Sequence, residues 1–203
     1  MLDKSIEHIG VLMTMEDPTR YPHYDLPEGY TLCAYEPGME QDWARIHVVI
    51  GQMATQEEAL AVFHKDFPQP EEVLRRYCRF VRSPEGQVVA TASLWPGQEF
   101  GQTHWRFHWL AVHPDHGRRG IGRALVTAIQ DLYGEQHEQP PFFYLVSQTW
   151  NYVAIRMYMT LGFTPYLGPK PAGWPGTEAD FARDNARAWR LIAEHAGLAG
   201  IVP

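Results

Sequence analysis

Apolar residues return along 119–133 at Ile121, Leu125, Val126, Ile129 and Leu132, the spacing that gathers one buried face of a helix. Ahead of it, residues 103–112 read as a strand that stops at Pro114. Alternation along that strand puts Arg106, His108, Leu110 and Val112 on one face. Trp105, Phe107, Trp109 and Ala111 take the other, aromatic face and belong to the core. Further elements follow from the same patterning. Residues 6–15 and 30–35 predict strands, with a loop at 19–29 between them. Residues 40–50 and 55–64 predict helices, and 71–77 a short helix after Pro70. Residues 79–82 and 87–95 form a hairpin turned at Ser83-Pro84-Glu85-Gly86. A strand over 142–146 precedes a helix that Asn151 caps, with Ala154, Tyr158 and Leu161 in one stripe and Gly162 as its stop. Residues 163–167 predict a final core strand. Residues 168–176, with three prolines and three glycines, are irregular. A last helix at 177–195 docks through Phe181, Ala188, Trp189 and Ile192. There is no internal repeat and no low-complexity tract. The expected class is α/β (α+β): a mixed sheet with helices on both faces.

Composition narrows the function classes. A chain of 203 residues suits one domain with a full core, and 45% hydrophobic with 20% charged residues is ordinary for a globular protein. A formal net charge of −7 argues against general nucleic-acid binding and favours a cationic small substrate. Two cysteines, Cys33 and Cys78, are too few for a disulfide scaffold, so reduced thiols and a cytoplasmic setting are expected. The first residues lack the charged and apolar blocks of a signal peptide. No apolar run approaches the ~20 residues that span a membrane.

The chemistry concentrates between the strand and the helix. The segment 110–125 reads Leu-Ala-Val-His-Pro-Asp-His-Gly-Arg-Arg-Gly-Ile-Gly-Arg-Ala-Leu. A helix start carries unpaired N–H groups and a partial positive charge. Gly120 and Gly122 have no side chain to hold a ligand off those donors, and Arg118, Arg119 and Arg123 add full charges. The turn therefore suits phosphate or pyrophosphate, with a ligand-free basic cap as the plain alternative. It is not the dinucleotide fingerprint, whose third glycine is replaced by Leu125. Nor is it the nucleoside triphosphatase loop, because Gly122 is followed by Arg123 instead of Lys-Ser/Thr.

A second motif follows one strand later: Asn151, Ala154, Tyr158, Gly162 and Phe163 in Asn-x-x-Ala-x-x-x-Tyr-x-x-x-Gly-Phe. The two motifs in this order, over about residues 80–166, resemble the GNAT superfamily of acyl-CoA-dependent N-acyltransferases. The family's turn begins Gln/Arg-x-x-Gly-x-Gly/Ala; here Gly117 holds the first position, which weakens the site without abolishing it. The resemblance implies a mostly antiparallel central sheet, splayed at the cofactor-binding strand. It implies one domain over 1–203, with a core at about 28–168, an N-terminal strand extension at 1–20 and a helical extension at 177–197.

By the same resemblance, acetyl-CoA is the cosubstrate. Leu110, Ala111 and Val112 pair with the pantetheine arm beside a bulge. The turn of Arg118, Arg119, Gly120, Ile121, Gly122 and Arg123 holds the pyrophosphate, and Asn151 contacts the arm further along. A primary amine of a small molecule or peptide attacks the thioester directly in a ternary complex. A backbone N–H near Val112 stabilises the oxyanion. Tyr158 is the implied acid for the leaving thiolate, against its plain reading as a core aromatic. His108 is the candidate base on its strand face, with His104, Glu99 and a water chain as alternatives. His104, His108, His113 and His116 match no zinc spacing, so no metal is expected. Tyr21, Tyr24, Trp43, Trp95 and Trp174 line an acceptor pocket or, more plainly, pack the core. The competing classes are a non-catalytic acyl-CoA sensor on the same fold and an ATP or NAD binder using the same turn. A homodimer is common in the family; no membrane partner is expected.

Overall fold

In chain order the strands and helices are β1 (Gly10–Met15), β2 (Thr31–Ala34), α1 (Met39–Val49), α2 (Gln56–Asp66), α3 (Glu71–Tyr77), β3 (Cys78–Arg82), β4 (Val88–Gly97), β5 (His104–Val112), α4 (Ile121–Gly134), β6 (Phe143–Gln148), α5 (Tyr152–Thr160), β7 (Thr164–Pro165) and α6 (Glu178–Ala196). They come from a computed structural model that describes residues 2–17, 22–136 and 143–198. Contacts divide the chain into two compact units, one built on Pro22–Leu94 and Phe107–Glu135, the other on Asp3–Tyr21, Trp95–Arg106 and Gln136–Pro203 within the described residues. The expectations at Tyr21 and Phe142, and at 19–20, lie outside the described residues.

The first unit carries β2, β3, β4 as far as Leu94 and β5 from Phe107, in the order β2-β3-β4-β5. β2 pairs antiparallel with β3 (Cys33 opposite Phe80), and β3 antiparallel with β4 (Phe80 opposite Thr91). The hairpin between β3 and β4 closes through Gly86 N–H donating to Ser83 O at 2.9 Å, with a register shift at Val81/Arg82. β4 is buried at nearly every position, the signature of a strand covered on both faces. α4 buries the stripe that the periodicity marks: Ile121, Leu125, Val126 and Ile129 are at most 1% exposed, and Leu132 and Tyr133 are buried with them. Each such side chain contributes roughly 1.5–3 kcal/mol by leaving water, so this face holds the helix whatever its propensity.

The second unit carries strand order β6-β1-β7, with β1 antiparallel to both neighbours. β1 begins four residues later than the pattern places it. Residues 6–9 are tied down by other means: Trp150 Nε1–H donates to Ile6 O at 2.8 Å and Thr149 N–H to Ile9 O at 3.0 Å. The predicted core strand at 163–167 is corrected to the two-residue edge β7. Pro165 has no N–H for a ladder, and Thr164 is exposed although Phe163 is buried. α6 starts in a full capping box. Thr177 Oγ1 accepts from Asp180 N–H at 3.2 Å and Asp180 Oδ2 accepts from Thr177 N–H at 3.2 Å. Thr177→Ala is expected to lower Tm by roughly 2–4 °C in a thermal melt; an unchanged Tm would show water capping the helix equally well. Among the described residues, no helix is long and apolar enough to cross a membrane.

Candidate active site

The junction between β5 and α4 is built to expose backbone donors. His113 N–H donates to Val89 O at 2.7 Å, and Pro114–His116 make one 3₁₀ turn. The chain then reverses through Arg118 at φ 60° and Gly120 at φ 90°. Glycine takes the left-handed region freely; a residue with a Cβ, such as Arg118, is strained there. α4 starts at Ile121, two residues later than the pattern suggests, because left-handed Gly120 is its N-cap.

No side chain caps α4, and its first turn holds no acid. α5 shares both traits, whereas α1 carries Glu40 and Asp42 in its first turn, α2 Glu57 and Glu58, α3 Glu71 and Glu72, and α6 Glu178 and Asp180. A Cβ placed on Gly120 would meet nothing within 4 Å, so the space before the helix is open. Arg118, Arg119 and Arg123 are exposed around it. Arg119 Nη1 donates to Tyr30 Oη at 3.1 Å, and Tyr30 Oη lies 2.9 Å from His116 Nδ1. The Arg123 guanidinium sits 5.6 Å from the centre of the Tyr24 ring. An uncapped helix start with open space at Gly120 and three guanidinium groups favours an external anion. Of the strand residues leading in, Ala111 is buried and Leu110 and Val112 half-buried.

The middle of β5 departs from alternation. Trp109 stands at φ 49°, so it does not simply take the face opposite His108. Its Nε1–H donates to Asp66 Oδ2 at 2.8 Å, and His108 Nε2 lies 3.4 Å from that same oxygen. Two consecutive strand residues thus meet one carboxylate, which a regular pleat forbids. The expectation that Trp109 belongs to a purely core-facing row is corrected by this bulge-like turn of the backbone. Behind it, Trp43 packs against His47 with ring centres 4.0 Å apart and against Trp109 at 5.2 Å. His47 is 1% exposed with no hydrogen-bond partner on either ring nitrogen, and burial, aided by the charge of His108, pulls its pKa down to about 3. His47 and Asp66 were not among the candidates. Asp66 had a signal of its own: it ends α2, where a carboxylate opposes the helix dipole.

The remaining candidates lie in the second unit. Tyr158 is buried on α5 with Ile155 and Leu161, its ring 6.0 Å from that of Phe163, and burial raises its hydroxyl pKa well above the ordinary value. At rest it is therefore the neutral phenol. Ala154, expected in that stripe, is only half-buried; Ile155 takes its place. Asn151 does stand at the N-cap of α5, but its side chain makes no capping bond, because a 3₁₀ turn, Thr149–Asn151, leads the chain into the helix. Glu99 is engaged by Arg106 Nη1 at 2.7 Å and by the Tyr144 hydroxyl. His104 is buried, and desolvation lowers its pKa. Trp95 and, in the first unit, Trp43 are core residues; Trp174 packs on Phe181 with centroids 6.0 Å apart. Among the described residues no three His, Cys, Asp or Glu side chains gather as a metal site.

Comparison with known proteins bears on this geometry. The model of the Acetyltransferase (GNAT) family matches residues 39–163. Mycothiol acetyltransferase of Thermomonospora curvata is 24% identical over 178 residues, covering 80% of this chain and 54% of that protein. The chain thus spans about half the length of the curated relative it matches. A GCN5-related N-acetyltransferase from Sphaerobacter thermophilus aligns with TM-score 0.60 and 16% identity, over 78% of this chain and 49% of that one. A tandem GNAT protein from the clavulanic acid biosynthesis pathway aligns with TM-score 0.58 and 18% identity, over 81% and 52%. At these identities the solved structures show the fold, a mixed α/β architecture with mostly antiparallel strands.

Proposed function

Because the chain belongs to the GNAT acetyltransferase family, we propose that it transfers an acetyl group from acetyl-CoA to a primary amine. The observation that carries the reading is the uncapped, acid-free start of α4 behind left-handed Gly120. The amides from Arg118 to Arg123 hold the pyrophosphate, and Leu110, Ala111 and Val112 lie along the pantetheine arm. The acceptor ammonium gives one proton to His108, which passes it to solvent. The N–C bond then forms as the C–S bond breaks, without a covalent enzyme intermediate. A backbone N–H near Val112 faces the developing oxyanion. On the motif alone, Asn151 is assigned a contact to the cofactor arm and Tyr158 the donation of a proton to the thiolate. The second amine hydrogen leaves to solvent, and Tyr158 is reprotonated from there. A relative named for mycothiol puts small molecules first among the acceptors.

Isothermal titration with acetyl-CoA tests the first step: micromolar binding is expected, and no heat at millimolar cofactor ends the proposal. CoA release is then followed with a panel of amino acids, polyamines, aminoglycosides and N-terminal peptides. Tyr158→Phe is expected to cut kcat by about a hundredfold and to leave the Kd for acetyl-CoA unchanged. Unchanged turnover removes Tyr158 from the chemistry. A wild type that binds acetyl-CoA yet acetylates nothing on the panel is a sensor instead.

A further inference from the structure

We infer that Asp66 is the positioning residue for His108, fixing which imidazole nitrogen carries the proton and which is left to act as base. This rests on the assignment of His108 as the base in the proposed reaction. A carboxylate offers only acceptor sites. Asp66 Oδ2 already accepts Trp109 Nε1–H at 2.8 Å, and it faces His108 Nε2 at 3.4 Å. The neutral imidazole therefore holds its proton on Nε2, and Nδ1 keeps the lone pair. A proton taken up at Nδ1 creates an imidazolium that the same carboxylate stabilises.

Two features say that this contact is maintained at a cost, and a third holds the backbone in place for it. Asp66 is the last residue of α2, where its charge opposes the helix dipole. Trp109 is held at φ 49°, an uncommon conformation for a residue with a Cβ, and that turn brings both rings to one oxygen. The Ser93 hydroxyl donates to His108 O at 3.1 Å and anchors the backbone from β4. His47 on α1 is a further titratable group at the cluster. Its burial keeps it neutral near pH 7, so it places no competing charge beside His108. The Phe67 ring, 5.9 Å from the His108 ring, covers it from just beyond the end of α2.

The test labels histidine with ¹⁵N and reads long-range ¹H–¹⁵N correlations, with His108→Gln assigning the His108 signals. Wild type is expected to show the Nε2–H tautomer, and Asp66→Asn to lose it. On the amine panel, Asp66→Asn is expected to lower kcat at least tenfold, with the Kd for acetyl-CoA held within twofold. Asp66→Glu, which retains a carboxylate, should restore part of that loss. An Nδ1–H tautomer in wild type overturns the role even if the variant fails to fold. An unchanged kcat in Asp66→Asn does so too, and leaves Asp66 as a tie between α2 and β5. Either result leaves acetyl-CoA binding and turnover standing. Absence of acetyl-CoA binding in wild type instead defeats the functional reading while the tautomer still reports on the pairing.

Discussion

Gly122→Glu is expected to raise the Kd for acetyl-CoA at least a hundredfold while leaving the protein as stable as wild type, or more so. The two effects have opposite signs because the ligand and the new side chain compete for one feature. Gly122 is the second residue of α4, in a first turn without an acid and behind an N-cap without a side-chain bond. A glutamate there satisfies the dipole by about 0.3–1 kcal/mol, and replacing glycine inside a helix adds roughly 0.5–1 kcal/mol. For a bound diphosphate the same carboxylate is a like charge a few ångströms away. One such pair at 4 Å costs about 1 kcal/mol in water and about 4 kcal/mol at a protein surface, and a hundredfold loss corresponds to about 2.7 kcal/mol. Titration calorimetry and a thermal melt on the same preparation separate the signs. Wild-type affinity in the variant would mean that the pyrophosphate lies elsewhere. A collapse in Tm would mean that the open helix start serves the fold and not a ligand.

That contrast shows where the chain is readable from its letters. Periodicity located α4 because its stripe, from Ile121 to Leu132, is set by one helix facing one core. The capped start of α6 is equally local, since Thr177 and Asp180 are three residues apart. The glycines and arginines of the turn were legible because they need only their neighbours. The geometry around His108 was not. Asp66 lies 42 residues before it in sequence, and the contact depends on the positive φ of Trp109, which alternation cannot anticipate. The short β7 and the unused side chain of Asn151 have a related cause. Pro165 breaks the ladder, and a 3₁₀ turn supplies the helix entry, so local rules that held elsewhere were overridden by the path of the chain.

His47→Phe is expected to flatten the acid side of the stability profile. Burial at 1% exposure, with His108 close by, lowers the His47 pKa to about 3 from the ordinary histidine value of 6.5. The unfolded chain therefore binds a proton below pH 6.5 that the folded chain refuses until about pH 3. Stability rises with pH wherever the unfolded state holds more protons. The wild type thus loses stability through this one group as pH falls across that window. The loss is about 2 kcal/mol between pH 7 and 5, and approaches about 5 kcal/mol at the acid end. Phenylalanine keeps a ring against Trp43, 4.0 Å away, and against Trp109, but carries no proton to refuse. It also removes two buried nitrogens that have no hydrogen-bond partner. Urea midpoints of both proteins at pH 7 and pH 5 give the comparison, with every other histidine and carboxylate common to the pair. The wild type should drop by about 2 kcal/mol more than the variant. Equal drops would mean that His47 takes a proton in the folded state, which requires the cluster of Trp43, Trp109 and Asp66 to open or admit water at mildly acid pH.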